Sequence, residues 1–235
     1  MNSTLLKQAW QGVANCSQCS IRNSVLFAGL TEQDFAQIHK PIDQFQIKKG
    51  AKIYSIGDDA SSMFTIRSGL VKLVQYLPDG TKKIVRLLGT ADVMGLEAVF
   101  NSNYRHDAIA LHDTEICRYP GNAAKELSKT NPTLHHELMY RWECALDEAD
   151  KWATEFSTGS SKQRVSRLFL KLVKEDHPAN TCTLFSRDDL GAILGLTTET
   201  ASRAIADFKR QGVIVELSAN TFTCDIVKLK QLAFE

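Results

Sequence analysis

The stretch from Ser186 to Gly212 constrains the fold more than any other part of the sequence. Ser186 can cap a short helix, and Gly195 can end it. Thr197 can then cap a second helix that stops at Gly212. Two short helices joined by a tight turn containing glycine are typical of a helix-turn-helix, whose second helix reads the major groove of DNA.

The predicted second helix has an apolar face and a polar face. Ala201, Ile205 and Phe208 recur at helical spacing and are predicted to face inward. On the other face, Arg203 can donate two hydrogen bonds to guanine, and Glu199 can accept one from a cytosine amino group. Ala204 and Ala206 are small enough for DNA to approach closely. The residues predicted to bind DNA are Thr198, Glu199, Ser202, Arg203 and Lys209.

From about residue 41 to residue 120, short runs of β-forming residues alternate with turn signals. The Asp79-Gly80 pair between two apolar runs predicts a β-hairpin. Strands this short and regular are typical of a small antiparallel barrel or sandwich. A second hairpin, the predicted wing, follows Gly212.

A long helix is predicted to begin at Asn131-Pro132, because apolar residues then recur every three or four positions. We expect this helix to pack on its own barrel and on a partner copy; an ordinary core helix is the alternative. The segment from Phe156 to Ser161, which is mostly small, polar and glycine-containing, is the best linker candidate in the chain. The residues predicted for the dimer interface are Leu134, Leu138, Trp142, Ala145, Ala149, Trp152 and Phe156.

Composition narrows the class of protein. The 28 basic and 27 acidic residues nearly balance, so a nucleic-acid site has to be a local patch. No apolar run reaches the length of a membrane span, which makes a cytoplasmic protein the expectation. A Ser/His/Asp triad, a Walker loop and a zinc-binding His pair are not apparent in the sequence, so we predict that the protein is not an enzyme.

Barrel, long helix and winged helix-turn-helix, in this order, resemble the CRP/FNR family of bacterial transcription regulators from about Leu26 onward. The resemblance implies an α+β fold with an N-terminal cyclic-nucleotide-binding-like β-roll, a long dimerisation helix and a C-terminal winged helix-turn-helix. The expected domains are a cysteine-containing arm (1–28), the sensor β-roll (29–120), the dimerisation helix (121–157) and the DNA-binding domain (158–235).

The Glu199-x-x-Ser202-Arg203 pattern is similar to that of the FNR branch of this family. That similarity implies a homodimer that reads TTGAT-type half-sites in an inverted repeat of double-stranded DNA. RNA polymerase is the further partner that it implies. A thioredoxin-like redox enzyme and an effector-binding module without DNA binding are the competing functions.

The sequence predicts the effector less clearly than it predicts DNA binding. Relatives that bind cyclic AMP have Gly-Glu-Leu where this chain has Gly95-Leu96-Glu97. If this segment is extended, Glu97 points the other way. Asp107 near Arg105 would repel a phosphate. These departures argue against a cyclic nucleotide, leaving a different small ligand or an effector-independent regulator as alternatives.

The FNR branch implies an oxygen-labile [4Fe–4S] cluster held by four cysteines. Cys16, Cys19 and Cys117 lie where three of these belong, but Val25 stands where the remaining thiolate is expected. A cluster with a non-cysteine fourth ligand, a thiol–disulfide switch and a relic site therefore stay open. The family's acidic residue in the dimer seam corresponds to Ala149, which predicts dimerisation whatever the sensor state.

Overall fold

The computed structural model of the chain describes residues 9–14, 19, 21, 42–100, 102–173 and 180–234. The residues fall into two compact units, one comprising Met1–Gly80 and Val85–Asp147 and the other Thr81–Ile84 and Glu148–Glu235. Cys16 and Val25 lie outside the described residues.

The first unit is built on two antiparallel sheets. Their strands are Trp10–Val13 (β1), Asp43–Ile47 (β2), Lys52–Tyr54 (β3), Ser62–Ser68 (β4), Val71–Tyr76 (β5), Lys82–Leu88 (β6), Val93–Met94 (β7), Asp107–Ala110 (β8) and Thr114–Pro120 (β9). One sheet has the order β1-β2-β9-β4-β7 and the other β3-β8-β5-β6. The turn predicted at Asp79-Gly80 is present, with Gly80 in a left-handed conformation and its N–H donating to the Leu77 carbonyl at 2.9 Å.

Asp107, the residue expected to repel a phosphate near Arg105, lies at the start of β8 in the β-roll. Asp107 is buried, and its carboxylate accepts hydrogen bonds from Lys52 Nζ at 2.7 Å and from the Ile56 N–H at 2.8 Å. Although burial opposes the charged form, the hydrogen bonds, chiefly that from Lys52, lower the pKa of Asp107. Asp107 therefore stabilises the β-roll through these hydrogen bonds and does not face a ligand.

The segment predicted as one dimerisation helix contains two helices, Gly121–Thr130 (α1) and Pro132–Lys151 (α2), followed by a turn of π-helix at Trp152–Phe156. The break lies at Asn131, which is extended and whose side-chain oxygen accepts from the Leu134 N–H at 2.9 Å. A proline directly after Asn131 disfavours helical backbone there, so the first helix ends and a second one starts.

The second unit is a winged helix. Its elements are Ser161–Leu172 (α3), Thr181–Thr183 (β10), Arg187–Leu194 (α4), Thr198–Arg210 (α5), Ile214–Ser218 (β11), Thr221–Cys224 (β12) and Ile226–Phe234 (α6), and its sheet has the order β10-β12-β11. The core is aromatic, with the Phe169 ring centroid 6.2 Å from that of Phe208 and 6.0 Å from that of Phe222. No helix in the described part of the chain is long and apolar enough to cross a membrane.

Candidate nucleic-acid interface and cysteine site

The turn between α4 and α5 is held by caps and by two glycines. The Ser186 hydroxyl accepts from the Asp189 N–H at 3.1 Å, and the Thr197 hydroxyl accepts from the Thr200 N–H at 3.2 Å. Gly195 ends α4 in a left-handed conformation with φ of 61°. A Cβ on Gly191 would lie 2.6 Å from the Leu196 carbonyl oxygen, so the turn can pack this closely on α4 only with glycine there.

One face of α5 is buried in the winged helix. It carries Ala201, Ile205 and Phe208 as the sequence predicts, and also Ala204. The expectation that Ala204 faces DNA is therefore wrong, because its helical position places it beside Ile205 on the inward side. Ala206 is exposed.

The opposite face presents polar side chains on the first two turns of α5. Thr198, Glu199 and Arg203 are exposed, and Ser202 is half-buried. The pKa of Glu199 is lowered by the helix backbone N–H at its own position, then by the Thr197 hydroxyl and the positive charge of Arg203. At neutral pH this face therefore offers one carboxylate acceptor and one guanidinium donor a single helical turn apart.

Lys209, the last of the predicted DNA-binding residues, is held on the wing. Its ammonium pairs with Glu216 and lies 5.3 Å from the centroid of the Phe222 ring. An ammonium over an aromatic face is attracted by the ring quadrupole. Lys209 thus joins α5 to β11 and β12, a role that the sequence pattern did not indicate.

The predicted dimer residues separate into two groups in the structure. Leu134, Leu138, Trp152 and Phe156 are buried within a single protomer, the two leucines in the core of the β-roll. Ala145 and Ala149 are half-buried and Trp142 is exposed. These four side chains are at most 8% exposed in the protomer and have little apolar surface to offer a partner, so the expectation that they face one needs correction.

Two exposed apolar side chains of α2, Met139 and Leu146, lie one position away from predicted residues, and a third, Trp142, is itself a predicted one. Met139, Trp142 and Leu146, at helical spacing i, i+3 and i+7, form what we call the α2 stripe. Met139 is 46% exposed and Leu146 is 65% exposed. The exposed Phe100 ring contacts Trp142 edge-on at 5.7 Å and extends the stripe.

The segment compared with the cyclic-AMP cassette has a different backbone from the one assumed. Leu96–Phe100 forms a 3₁₀-helix rather than an extended strand, and Leu96 is buried. The Glu97 carboxylate accepts from the Arg105 N–H at 3.4 Å and lies 3.9 Å from His106 Nδ1. Partial burial lowers the pKa of His106, and the nearby Glu97 opposes that shift. Arg105 is exposed.

Cys19 and Cys117 both lie near one guanidinium, that of Arg67. Arg67 hydrogen-bonds to Cys117, and its Nε lies 3.3 Å from Glu115 Oε1. Its Nη1 donates to Gln44 Oε1 at 3.0 Å. Although burial opposes the charged form, the pKa of Arg67 is raised by Cys117, Glu115 and Cys19. A guanidinium beside a thiol favours the thiolate.

Of the three cysteines predicted to hold a [4Fe–4S] cluster, the described residues include Cys19 and Cys117. Within the described ranges, no group of three or more His, Cys, Asp or Glu side chains is close enough to hold a metal. Cys117 and Glu115 already interact with a cation, whereas a cluster needs thiolates directed at iron. The described surroundings of Cys117 therefore suit a charge-stabilised thiol.

Sequence reasoning missed Arg67, Met139 and Leu146. Arg67 becomes a neighbour of Cys117 only because β4 and β9 pair, with Thr65 opposite Cys117. No local sequence pattern predicts that register. Met139 and Leu146 did leave a signal, since they form a second apolar stripe with Trp142. That stripe overlaps the stronger one that begins at Leu134, which packs inward.

Comparison with known proteins gives matches over both units. Residues 44–131 match the family described as cyclic nucleotide-binding domain, and residues 163–232 match the family described as Crp-like helix-turn-helix domain. Electron transport regulator A of Shewanella oneidensis is 28% identical over 206 residues, which cover 85% of this chain and 82% of that protein.

Two further matches also cover more than four fifths of this chain. The fumarate and nitrate reduction regulatory protein of Escherichia coli strain K12 is 25% identical over 206 residues, covering 85% of this chain and 82% of that protein. The solved structure of FixK2 from Bradyrhizobium japonicum has a TM-score of 0.74 and 24% identity, and covers 81% of this chain and 96% of that one. The likeness to FixK2 extends over the fold of both units.

Proposed function

Because the chain belongs to the CRP/FNR family of bacterial transcription regulators, we propose that it is a homodimeric, sequence-specific regulator that reads TTGAT-like palindromic DNA. The observation that carries this proposal is the exposed first two turns of α5. There Glu199 and Arg203 stand one helical turn apart on a helix whose other face is fully buried. A helix anchored in this way can place its N-terminal side chains on base edges.

The contacts follow from the chemistry of these two side chains. Arg203 donates to the O6 and N7 of a guanine, and Glu199 accepts from the amino group of a cytosine. Ser202, half-buried beside them, bonds a base edge or a phosphate. Two copies of the chain present two α5 helices, so a two-fold symmetric protein requires an inverted repeat. RNA polymerase is the proposed further partner at the promoter.

An electrophoretic shift assay on the full-length protein tests the DNA-binding proposal. Arg203→Ala should weaken binding to a TTGAT palindrome by about 5- to 150-fold, which corresponds to about 1–3 kcal/mol for one base contact. Arg210→Ala is the matched control, because Arg210 lies on the same helix and pairs with Asp207 at 2.7 Å.

Arg210→Ala should keep the ratio of affinities for the palindrome and for a scrambled sequence, whereas Arg203→Ala should reduce it. Equal affinity of the unmodified protein for both sequences would contradict sequence-specific binding. The same result in both variants would contradict the role of Arg203.

For the sensor, we propose a thiol site centred on Cys117, with Arg67 stabilising its thiolate and Cys19 as the nearby second thiol. Support comes from the hydrogen bond of Arg67 to Cys117 and from the effect of Cys19 on the same guanidinium. A thiolate of this kind reacts faster with peroxide or an alkylating agent than an ordinary thiol does.

Alkylation kinetics test this site in the reduced protein. Arg67→Gln should slow the reaction of Cys117 with iodoacetamide at neutral pH, while the rate at Cys144 on α2 should stay unchanged as an internal control. Unchanged kinetics at Cys117 would remove Arg67 from the site. Iron and sulfide in stoichiometric amounts after anaerobic purification would refute the thiol site in favour of a cluster.

A further inference from the structure

The winged helix contains a second pair of thiols, Cys182 on β10 and Cys224 on β12, which the sequence separates widely. In the antiparallel register, Cys182 on β10 is opposite Phe222 on β12, and Cys224 lies two positions after Phe222 on β12. Side chains two positions apart on a strand point to the same face, so the two cysteines are diagonal neighbours. The Cys224 N–H donates to the Asn180 carbonyl at 3.1 Å, which continues the pairing beyond β10.

The two side chains are buried and in direct contact. Cys182 is 2% exposed and Cys224 is 4% exposed, and their thiols are hydrogen-bonded to each other. The hydrogen bond from Cys182 lowers the pKa of Cys224, while burial opposes that shift. The same hydrogen bond, with burial added, raises the pKa of Cys182. The main cause of each shift is the other thiol, so the two side chains are immediate neighbours.

We propose that Cys182 and Cys224 form a redox-modification site that closes to a disulfide under peroxide and clasps the winged helix. The segment between them contains α4, α5 and β11, so the bond would close a ring around the whole helix-turn-helix. This site is separate from the proposed Cys117 sensor, and it does not depend on whether the protein binds DNA.

The chemistry uses hydrogen peroxide as the oxidant. The Cys224 thiolate attacks one peroxide oxygen, the O–O bond breaks, and hydroxide leaves and takes a proton to become water. The sulfur of Cys182, losing its proton, then attacks the resulting Cys224 sulfenic acid, whose hydroxyl leaves as a second water. The two thiols lose two electrons and two protons in total, and the peroxide gains them.

Ordinary core packing is the competing explanation, because a buried free cysteine behaves as a small hydrophobe. Packing alone does not require two cysteines this far apart in the sequence to be diagonal neighbours on one face of the β10–β12 pair. A disulfide requires Cβ atoms about 3.5–4.5 Å apart. Diagonal neighbours have their Cβ atoms further apart than this, so closing the bond requires a local approach of β10 to β12.

Peptide mapping of the full-length protein after peroxide treatment tests the site. We expect a cross-linked peptide containing Cys182 and Cys224, lighter by two hydrogens than the two separate peptides and restored by dithiothreitol. The thermal unfolding midpoint of the winged helix should rise by about 5 °C or more after oxidation, because the cross-link restricts the unfolded chain. Cys117→Ser should leave both results unchanged, which separates this site from the sensor.

Variants identify the order of the two steps. Cys182→Ala should stop the reaction at a Cys224 sulfenic acid, trapped by dimedone, and Cys144→Ser should behave as the unmodified protein. The wild-type peptide map does not depend on these variants folding. If Cys182 and Cys224 remain free thiols at peroxide concentrations that oxidise Cys117, or if their cross-link leaves the unfolding midpoint unchanged, the proposal is wrong.

Discussion

Replacement of Leu146 by alanine tests whether the α2 stripe forms the dimer interface. The side chain is 65% exposed in a single protomer, and Met139 and Trp142 lie on the same face of the helix. In a two-fold symmetric dimer each copy contributes the same patch, so the substitution removes apolar surface twice. We expect weaker dimerisation without a loss of protomer stability.

The size of the effect follows from the exposed fraction. Full burial of a leucine side chain contributes about 1.5–3 kcal/mol. With 65% of it left to bury, each copy would contribute about 1–2 kcal/mol, or about 2–4 kcal/mol for the dimer. Because 1.4 kcal/mol is a factor of ten, the dimer dissociation constant should rise by about 30- to 700-fold.

Analytical ultracentrifugation over a concentration series measures this change. Val227→Ala is the matched control, because Val227 is 68% exposed on α6 and lies outside the stripe. Leu138→Ala is the opposite control: with 3% exposure it should lower the unfolding free energy of the β-roll by about 2–5 kcal/mol. A Leu146→Ala protein whose dissociation constant stays within about twofold of the unmodified value, well under 1.4 kcal/mol, would refute the assignment of the stripe.

Three other substitutions test contacts that stabilise the fold. Gly191→Ala places a Cβ 2.6 Å from the Leu196 carbonyl oxygen and should lower the free energy of unfolding of the winged helix in urea by about 1–3 kcal/mol. Gly89→Ala is the control: no atom lies within 4 Å of its Cβ, so it should lower the free energy of unfolding by less than about 0.5 kcal/mol. Although burial opposes it, hydrogen bonding lowers the pKa of Asp107. Its stabilisation is therefore complete above the unfolded pKa of about 3.9 and is lost as pH falls through the lower folded value, and Asp107→Asn should flatten this acid limb of an unfolding titration. Tyr104→Phe removes a hydroxyl that donates to a β4 carbonyl at 2.7 Å and should lower the unfolding free energy by about 0.5–1.5 kcal/mol in the same urea assay.

The local elements of this protein could be read from its sequence because their signals are local. Thr197 caps α5 through an atom three residues away, and Gly195 ends α4 through its own backbone freedom. The helical spacing of Ala201, Ile205 and Phe208 identifies the buried face of α5, and the polar residues on the opposite face are therefore exposed. Such features depend on residues about one helical turn apart, and that spacing is visible in the sequence.

The pairs that form the candidate sites depended on tertiary structure. Arg67 meets Cys117 through the register of β4 and β9, and Cys182 meets Cys224 through the register of β10 and β12. Two residues far apart in the chain become neighbours only when the strands that carry them pair in one register, and a shift by one residue would place them on opposite faces.

The apolar side of α2 shows the same dependence on tertiary structure. The sequence determined that α2 is amphipathic with a broad apolar side, but it could not say which edge of that side the β-roll covers. Burial of Leu134 and Leu138 left Leu146 at the surface, because packing against the β-roll selects one edge of the helix and leaves the adjacent edge exposed.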